Sequence, residues 1–271
     1  MIKRLLTRNI FLTNAIRRGL FLLVAGMTTT FSQACDVSVM STVAFTPTLG
    51  KLTEKYENDT GNKLNIIYDT IANLKKQLAE GKTADVIILS RPALNELLEK
   101  GKIMHDSIVN VGSSYVAVGI RANSPLPDIS TTEKLKSVLL SAKAISYADP
   151  AKGGASGVYF ANVIRQLGLT EQLKSKTILV PSAEAGEIVA QGRADIAVAQ
   201  ASEIAAVPGT RVVGPLPGKF SRTMVFSAGI GSESDCQAAA RALITFLTSP
   251  FGVAVLRAEG MDEVPGGTSR R

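Results

Sequence analysis

The stretch "VSVMSTVAFTPTLGKLTEKYENDTGNKLNIIYD", Val37 to Asp69, decides how the rest of the chain is read. It opens on a β-branched run and continues through Pro47–Asn58, where apolar Leu49, Leu52 and Tyr56 recur at helical spacing. It closes on a second run, "KLNIIYD". Strand, helix, strand at this length is a βαβ unit, and a chain of such units builds a parallel sheet covered by helices.

The alternation continues outward. A helix is expected over Ile71–Gly81, a strand at "ADVIILS", a helix over Pro92–Lys100 and a strand at "SSYVAVGIRANS", whose Pro-rich exit at Ser124–Pro127 leads into a second lobe. That lobe repeats the theme. A helix over Thr131–Ser141 precedes the strand "AKAISYADP", a helix over Gly157–Leu167 precedes "TILVPS", and a helix over Ala183–Gln191 precedes "ADIAVAQ". The segment "VVGPLPGKFSRTMVFSAGIG" reads as the return path, and Ser234–Leu247 and Pro250–Glu259 as two closing helices. The fold class is therefore α/β, with 35–115 and 225–271 as one lobe and 116–224 as the other.

Bulk properties narrow the function. The 271 residues carry a formal charge of +7, but Lys3, Arg4, Arg8, Arg17 and Arg18 precede residue 35, where there is no acid. The remainder is nearly neutral, so the charge gives no reason to expect a nucleic-acid partner. Residues 1–34 combine this basic start with the apolar run "LFLLVAGM" and small residues Ser32 and Ala34, the pattern of a signal peptide cleaved near Ala34. A loose twin-arginine fit in "RRGLF" and lipidation of Cys35 are lesser variants of the same export reading. One histidine and two cysteines supply almost no ligands for a transition metal, and no metal or cofactor is expected. Cys35 and Cys236 read equally as a disulfide or as separate thiols. His105 lies in a polar stretch with no nucleophile elbow beside it, which argues against a nucleophilic triad.

In open α/β sheets ligands bind beyond the carboxyl ends of the strands. The residues there are Ser41, Thr42 and Val43, then Tyr68, Asp69 and Thr70, then Ser90 and Arg91, then "DPAKGGASG", Asp149–Gly157, with Gly153, Gly154, Ser156 and Gly157, then Ser182 and Ala183, and finally Gln200. Hydroxyls, amides, one arginine and several helix N-termini suit a small anion. Each has a plain alternative: Thr42, Thr70 and Ser182 also read as helix N-caps, Arg91 as a partner of Glu96, and the glycines as close-packing positions.

The pieces "VSVMSTVAFTPTLGKLTEKYENDTGNKL", "IANLKKQLAEGKTADVIILSRPALNELLEKGKI", "DPAKGGASGVYFANVIRQLG" and "VAQGRADIAVAQASEI" resemble the molybdate-binding type of periplasmic solute-binding protein. The resemblance implies two lobes joined by a two-strand hinge, a ligand in the cleft between them, a periplasmic monomer and an ABC permease as partner. The family's oxyanion-binding serine after the first strand falls on Ala44, its second-loop serine on Ile71 or Thr70, and its late tyrosine on Gln200. Ser156 and Ser182 fall where the family supplies backbone N–H groups. With those hydroxyls missing, and with Arg91 and Gln200 as donors, an organic polycarboxylate is expected rather than molybdate. Binding of that anion for an ABC transporter is the first reading; the alternative is that the chain is similar to aconitate isomerase of the same architecture, which would need an allylic proton shift without a cofactor. In that case Asp69, Glu184 and Tyr68 are the proton-transfer candidates.

Overall fold

The computed structural model describes residues 34–264. The first lobe begins with β1 (Asp36–Thr42), α1 (Thr46–Thr60), β2 (Lys63–Asp69), α2 (Ile71–Ala79), β3 (Val86–Ser90) and α3 (Arg91–Glu99). Strand β1 lies between β2 and β3, parallel to both. The apolar residues of β3 alternate as the pleat requires. Val86 and Ile88 pack with Leu49, Leu52 and Tyr56 of α1 on one face, while Ile87 and Leu89 pack with Leu74, Leu78, Leu94 and Leu97 on the other. The helices of the first βαβ units thus bury both faces, which keeps the strand ends in one row.

Strand β4 (Val109–Arg121) then runs the length of both lobes. The second lobe contains α4 (Thr132–Ser141), β5 (Ile145–Ala148), α5 (Ala155–Gln166), α6 (Thr170–Lys174), β6 (Thr177–Val180), α7 (Ala185–Ala190), β7 (Ile196–Gln200), α8 (Ala201–Ala205) and β8 (Thr210–Pro215). The chain returns through β9 (Thr223–Ile230) and ends on α9 (Gln237–Leu247) and α10 (Pro250–Ala258). Strands follow the order β2-β1-β3-β9-β4-β7-β5-β6, with β8 also paired to β4. Residues Val109 to Tyr115 of β4 pair with β9, whereas Val116 to Gly119 pair with β7. At the changeover the Val116 N–H donates to the Arg222 carbonyl (3.2 Å) and its carbonyl accepts from the Leu216 N–H (3.3 Å). The outgoing and returning strands are therefore bonded together as the two-strand hinge. The crossing falls inside β4, ahead of the Pro-rich Ser124–Pro127 segment, because that strand is continuous through both sheets.

Sizes divide the second lobe's core. Val116, Val118, Ile145, Ile196 and Val198 meet Phe160 and Val163 of α5 on one face, while Ala117, Ala197 and Ala199 on the other let α7 and α8 sit close, with Ile204 filling the gap. Helices α6 and α8 are too short for a periodic pattern to announce them, and they are additions to the sequence reading. Helix α5 begins two residues before its expected start at Gly157. Helix α9 begins at Gln237 rather than Ser234, because the Ser234 hydroxyl donates to Asp85 (2.7 Å) and accepts the Cys236 N–H (3.2 Å). Cys236 is joined to Cys35 in a disulfide that ties the start of β1 to the last helices. The signal-peptide reading lies outside the described residues.

Candidate functional site

The strand ends of the two lobes face each other across a partly enclosed cleft with about 350 Å3 of atom-free space. The first lobe contributes Thr42, Val43, Ala44, Thr70, Ile71 and Phe226. The second contributes Ala148, Gly154, Ala155, Ser156, Ser182, Gln200 and Glu203.

Local structure explains the donors. Thr42 leads into a short 3-10 turn over Val43–Phe45 without its side chain capping it. Thr70 caps α2, accepting the Asn73 N–H at 3.3 Å, and its hydroxyl donates across the cleft to the Lys152 carbonyl at 3.0 Å. The first-turn N–H groups of Ile71 in α2, and of Ala155 and Ser156 in α5, have no acceptor within their helices, and both helix dipoles place their positive ends at the cleft. The Ser182 Oγ is buried without a hydrogen-bond partner. The Gln200 side chain donates through Nε2 to the Met224 sulfur (2.7 Å), which leaves its buried Oε1 unpaired.

The glycines divide their work. Gly154 lines the cleft. Gly153 has φ +76°, and a Cβ there would stand 2.2 Å from the Ala72 Cβ of the opposite lobe. At Gly157 a Cβ would stand 2.0 Å from the Ala148 carbonyl oxygen, so its lack of a side chain seats the start of α5 against the end of β5. Gly157 is not among the lining residues.

Four other candidates lie outside the lining, each held by other groups. The Arg91 guanidinium donates to Asn95 (3.1 Å) and Asn110 (3.0 Å), while Glu96, its expected partner, pairs with Lys75 and Lys100. Asp69 accepts the Thr70 N–H, the Asn73 amide and the Gln77 amide, which makes it an organiser of α2. Tyr68 packs against the first-lobe core, where burial pushes its phenol up to about 12. Glu184 precedes α7 and its carboxylate accepts the Ser182 N–H at 2.8 Å.

Glu203 is the polar lining residue that the sequence reading passed over, and among the described residues it is the only ionisable side chain in the lining. It stands three positions after Gln200 at the start of α8, and its Oε2 accepts the Gln200 N–H at 3.1 Å. The legible signal was "QASE": a glutamate at the third helical position reaching back to the residue before the helix. Removal from water is the main cause that pushes its carboxyl up to about 7, the Gln200 N–H opposes that, and the negative charge of Glu184 adds to it.

Two α/β lobes on a two-strand hinge, with helix N-termini converging on the cleft, define a solute-binding protein of the periplasmic-binding-protein type. The family model of bacterial extracellular solute-binding proteins matches residues 37–262, and the chain belongs to that family. An aconitate isomerase of a Pseudomonas species is 32% identical over 235 residues, 84% of this chain and 88% of that protein. The molybdate-binding protein ModA of Azotobacter vinelandii is 25% identical over 252 residues, 91% of this chain and 97% of that protein. In structure, the periplasmic molybdate-binding protein of A. vinelandii superposes with a TM-score of 0.71 at 20% identity, covering 84% of this chain and all of that one.

Proposed function

We propose that the cleft takes a small organic polycarboxylate and that the protein interconverts trans- and cis-aconitate. The observation that carries this is the mixed lining. Val43, Ala44, Ile71, Ala148, Ala155 and Phe226 alternate with the hydroxyls and N–H groups. A tetrahedral oxyanion presents oxygen in every direction, so an apolar wall leaves some of its oxygens unpaired at a cost of about 1–3 kcal/mol each. A polycarboxylate turns its carbon skeleton to that wall and its carboxylates to the donors. The first-turn N–H groups of α2 and α5, with Ser156 and Ser182, are the carboxylate ligands in this reading. Thr42 and Gln200 add the polar contacts that orient the skeleton. Similarity over most of the length of an aconitate isomerase supports the reaction class. The protein acts as a monomer after export to the periplasm and cleavage near Ala34, with 35–115 and 225–271 as one lobe and 116–224 as the other.

The family itself favours a second reading, capture of the same ligand for delivery to an ABC permease. One experiment separates them. Purified protein is mixed with trans-aconitate and followed by ultraviolet absorbance, beside a thermal-shift series over molybdate, sulfate, citrate and both aconitates. A ligand at a hundred times its Kd adds about 2.7 kcal/mol of stability. Turnover supports isomerisation, and stoichiometric stabilisation by aconitate without turnover supports capture. Stabilisation by molybdate alone refutes a polycarboxylate ligand.

A further inference from the structure

We propose that Glu203 carries the proton in the allylic shift, a role that rests on the isomerase reading above. Three features of the geometry assign it. Among the described residues it is the only ionisable side chain lining the cleft. One carboxylate oxygen, Oε2, is fixed by the Gln200 N–H at 3.1 Å, while no group among the described residues hydrogen-bonds to the other. The carboxyl is thus anchored at one end and available at the other, as a general base must be. Asp69, Tyr68, Asp149 and Glu184, acid–base groups near the strand ends, are absent from the lining, and the Asp69, Asp149 and Glu184 carboxylates accept N–H groups of their own segments.

The step balances with one carboxyl group. The free oxygen of the Glu203 carboxylate takes a proton from the methylene beside a substrate carboxylate. The C–H electron pair enters the allylic system, the double bond moves one carbon along, and the charge rests on a carboxylate as a dienolate. The same carboxylic acid then returns the proton to the far vinylic carbon and is a carboxylate again. First-turn N–H groups of α2 and α5 stabilise the dienolate oxygens. No oxidant, reductant or cofactor enters.

The charged surroundings favour a base that works near neutrality. The elements packed on α8 carry Glu184 and Glu187 at α7, Tyr115 and Arg121 on β4 and Arg211 on β8, and of these only Glu184 acts on the Glu203 carboxyl, raising its pKa. Lysine, arginine and histidine are absent from the cleft lining among the described residues. At neutral pH a substantial fraction of Glu203 is then ionised and able to start the cycle.

The test is Glu203→Gln, assayed on the full-length mature protein with trans-aconitate. Glutamine keeps an oxygen that accepts the Gln200 N–H, so the start of α8 retains its bond while the titratable group is lost. The expected result is a kcat lowered by about 10²–10⁴-fold with trans-aconitate still stabilising the protein against heat. Wild-type kcat/KM, corrected for the substrate's own ionisation, is expected to rise with pH through about 7. If E203Q binds and turns over within about threefold of wild type, the assignment to Glu203 is wrong while the isomerase reading stands. If wild type binds aconitate without turnover, the isomerase reading fails and takes this assignment with it. Should E203Q not fold, the pH profile decides: an acid limb near 7 supports Glu203, and one near 4–5 refutes it.

Discussion

Gly157→Ala tests the claim that the cleft's second wall is set by backbone contact. A Cβ at this position would stand 2.0 Å from the Ala148 carbonyl oxygen, 2.8 Å from its carbonyl carbon and 3.0 Å from its Cβ. A carbon and a carbonyl oxygen approach no closer than about 3.3 Å, so the first turn of α5 must retreat from β5 by on the order of 1 Å. Neither partner can yield by rotating a side chain, because the obstacle is the backbone of β5. Forced overpacking costs about 1–3 kcal/mol, of which the better helix propensity of alanine returns about 0.5–1. The net cost is up to about 2.5 kcal/mol, and for a domain of this size each kcal/mol lowers Tm by about 2–4 °C, so a fall of up to roughly 10 °C is expected. The same retreat carries Ala155 and Ser156 away from the cleft and stretches their bonds to a ligand past useful length. Affinity for trans-aconitate should therefore drop at least about tenfold, although residue 157 does not line the cleft. Thermal unfolding with and without trans-aconitate reads both effects. A variant that melts at the wild-type temperature with the wild-type ligand shift would show that this contact does not position α5.

Gly153→Ala places a methyl group against Ala72 across the cleft, at 2.2 Å before relaxation, on a residue with φ +76°. It should lower stability by the roughly 1–2 kcal/mol that a left-handed alanine costs, and by holding the lobes apart it should also weaken aconitate binding measured by calorimetry; equal affinity would contradict it. Replacing both Cys35 and Cys236 by serine releases a cross-link spanning 201 positions and should lower the free energy of unfolding by up to about 5 kcal/mol. Denaturant midpoints of the wild type with and without reductant, beside the double-serine protein, measure this, and coincident midpoints would count against it. Because the folded-state pKa of Glu203 is raised, its contribution is fully present below the unfolded carboxylate value and is lost as pH rises through about 7. The stability of wild type relative to E203Q should therefore fall by on the order of 3 kcal/mol between pH 4.5 and pH 7.5. A flat difference across that range would refute the raised pKa.

Periodicity alone was enough for the strand–helix alternation. The apolar runs of β1 and β3, bounded by turn residues, and the leucines of α2 and α3 at helical spacing mark these elements locally, and position in the chain was enough to nominate the strand ends. Eight nominated residues, Thr42, Val43, Thr70, Ile71, Gly154, Ser156, Ser182 and Gln200, meet in one cleft. Arg91 looked equally suited because it follows β3, but Asn110 lies far along the chain and comes beside it only when β4 pairs with β9. Asp69 and Glu184 carry the right chemistry, yet their carboxylates are taken by N–H groups one and two residues away respectively. For Glu203 the capping pattern "QASE" was legible, but it marks only a helix start. A five-residue helix has no periodic signature to show which side it turns to the cleft, and a raised carboxyl pKa arises from the burial and the neighbouring Glu184 that only the assembled second lobe provides. The sequence by itself determined the main alternation of strands and helices and which loops follow the strand ends, since those follow from side-chain spacing and backbone polarity. The tertiary structure alone decided which polar groups face the cleft and which are consumed in holding its walls, since hydrogen-bond partners and desolvation depend on residues distant in the chain.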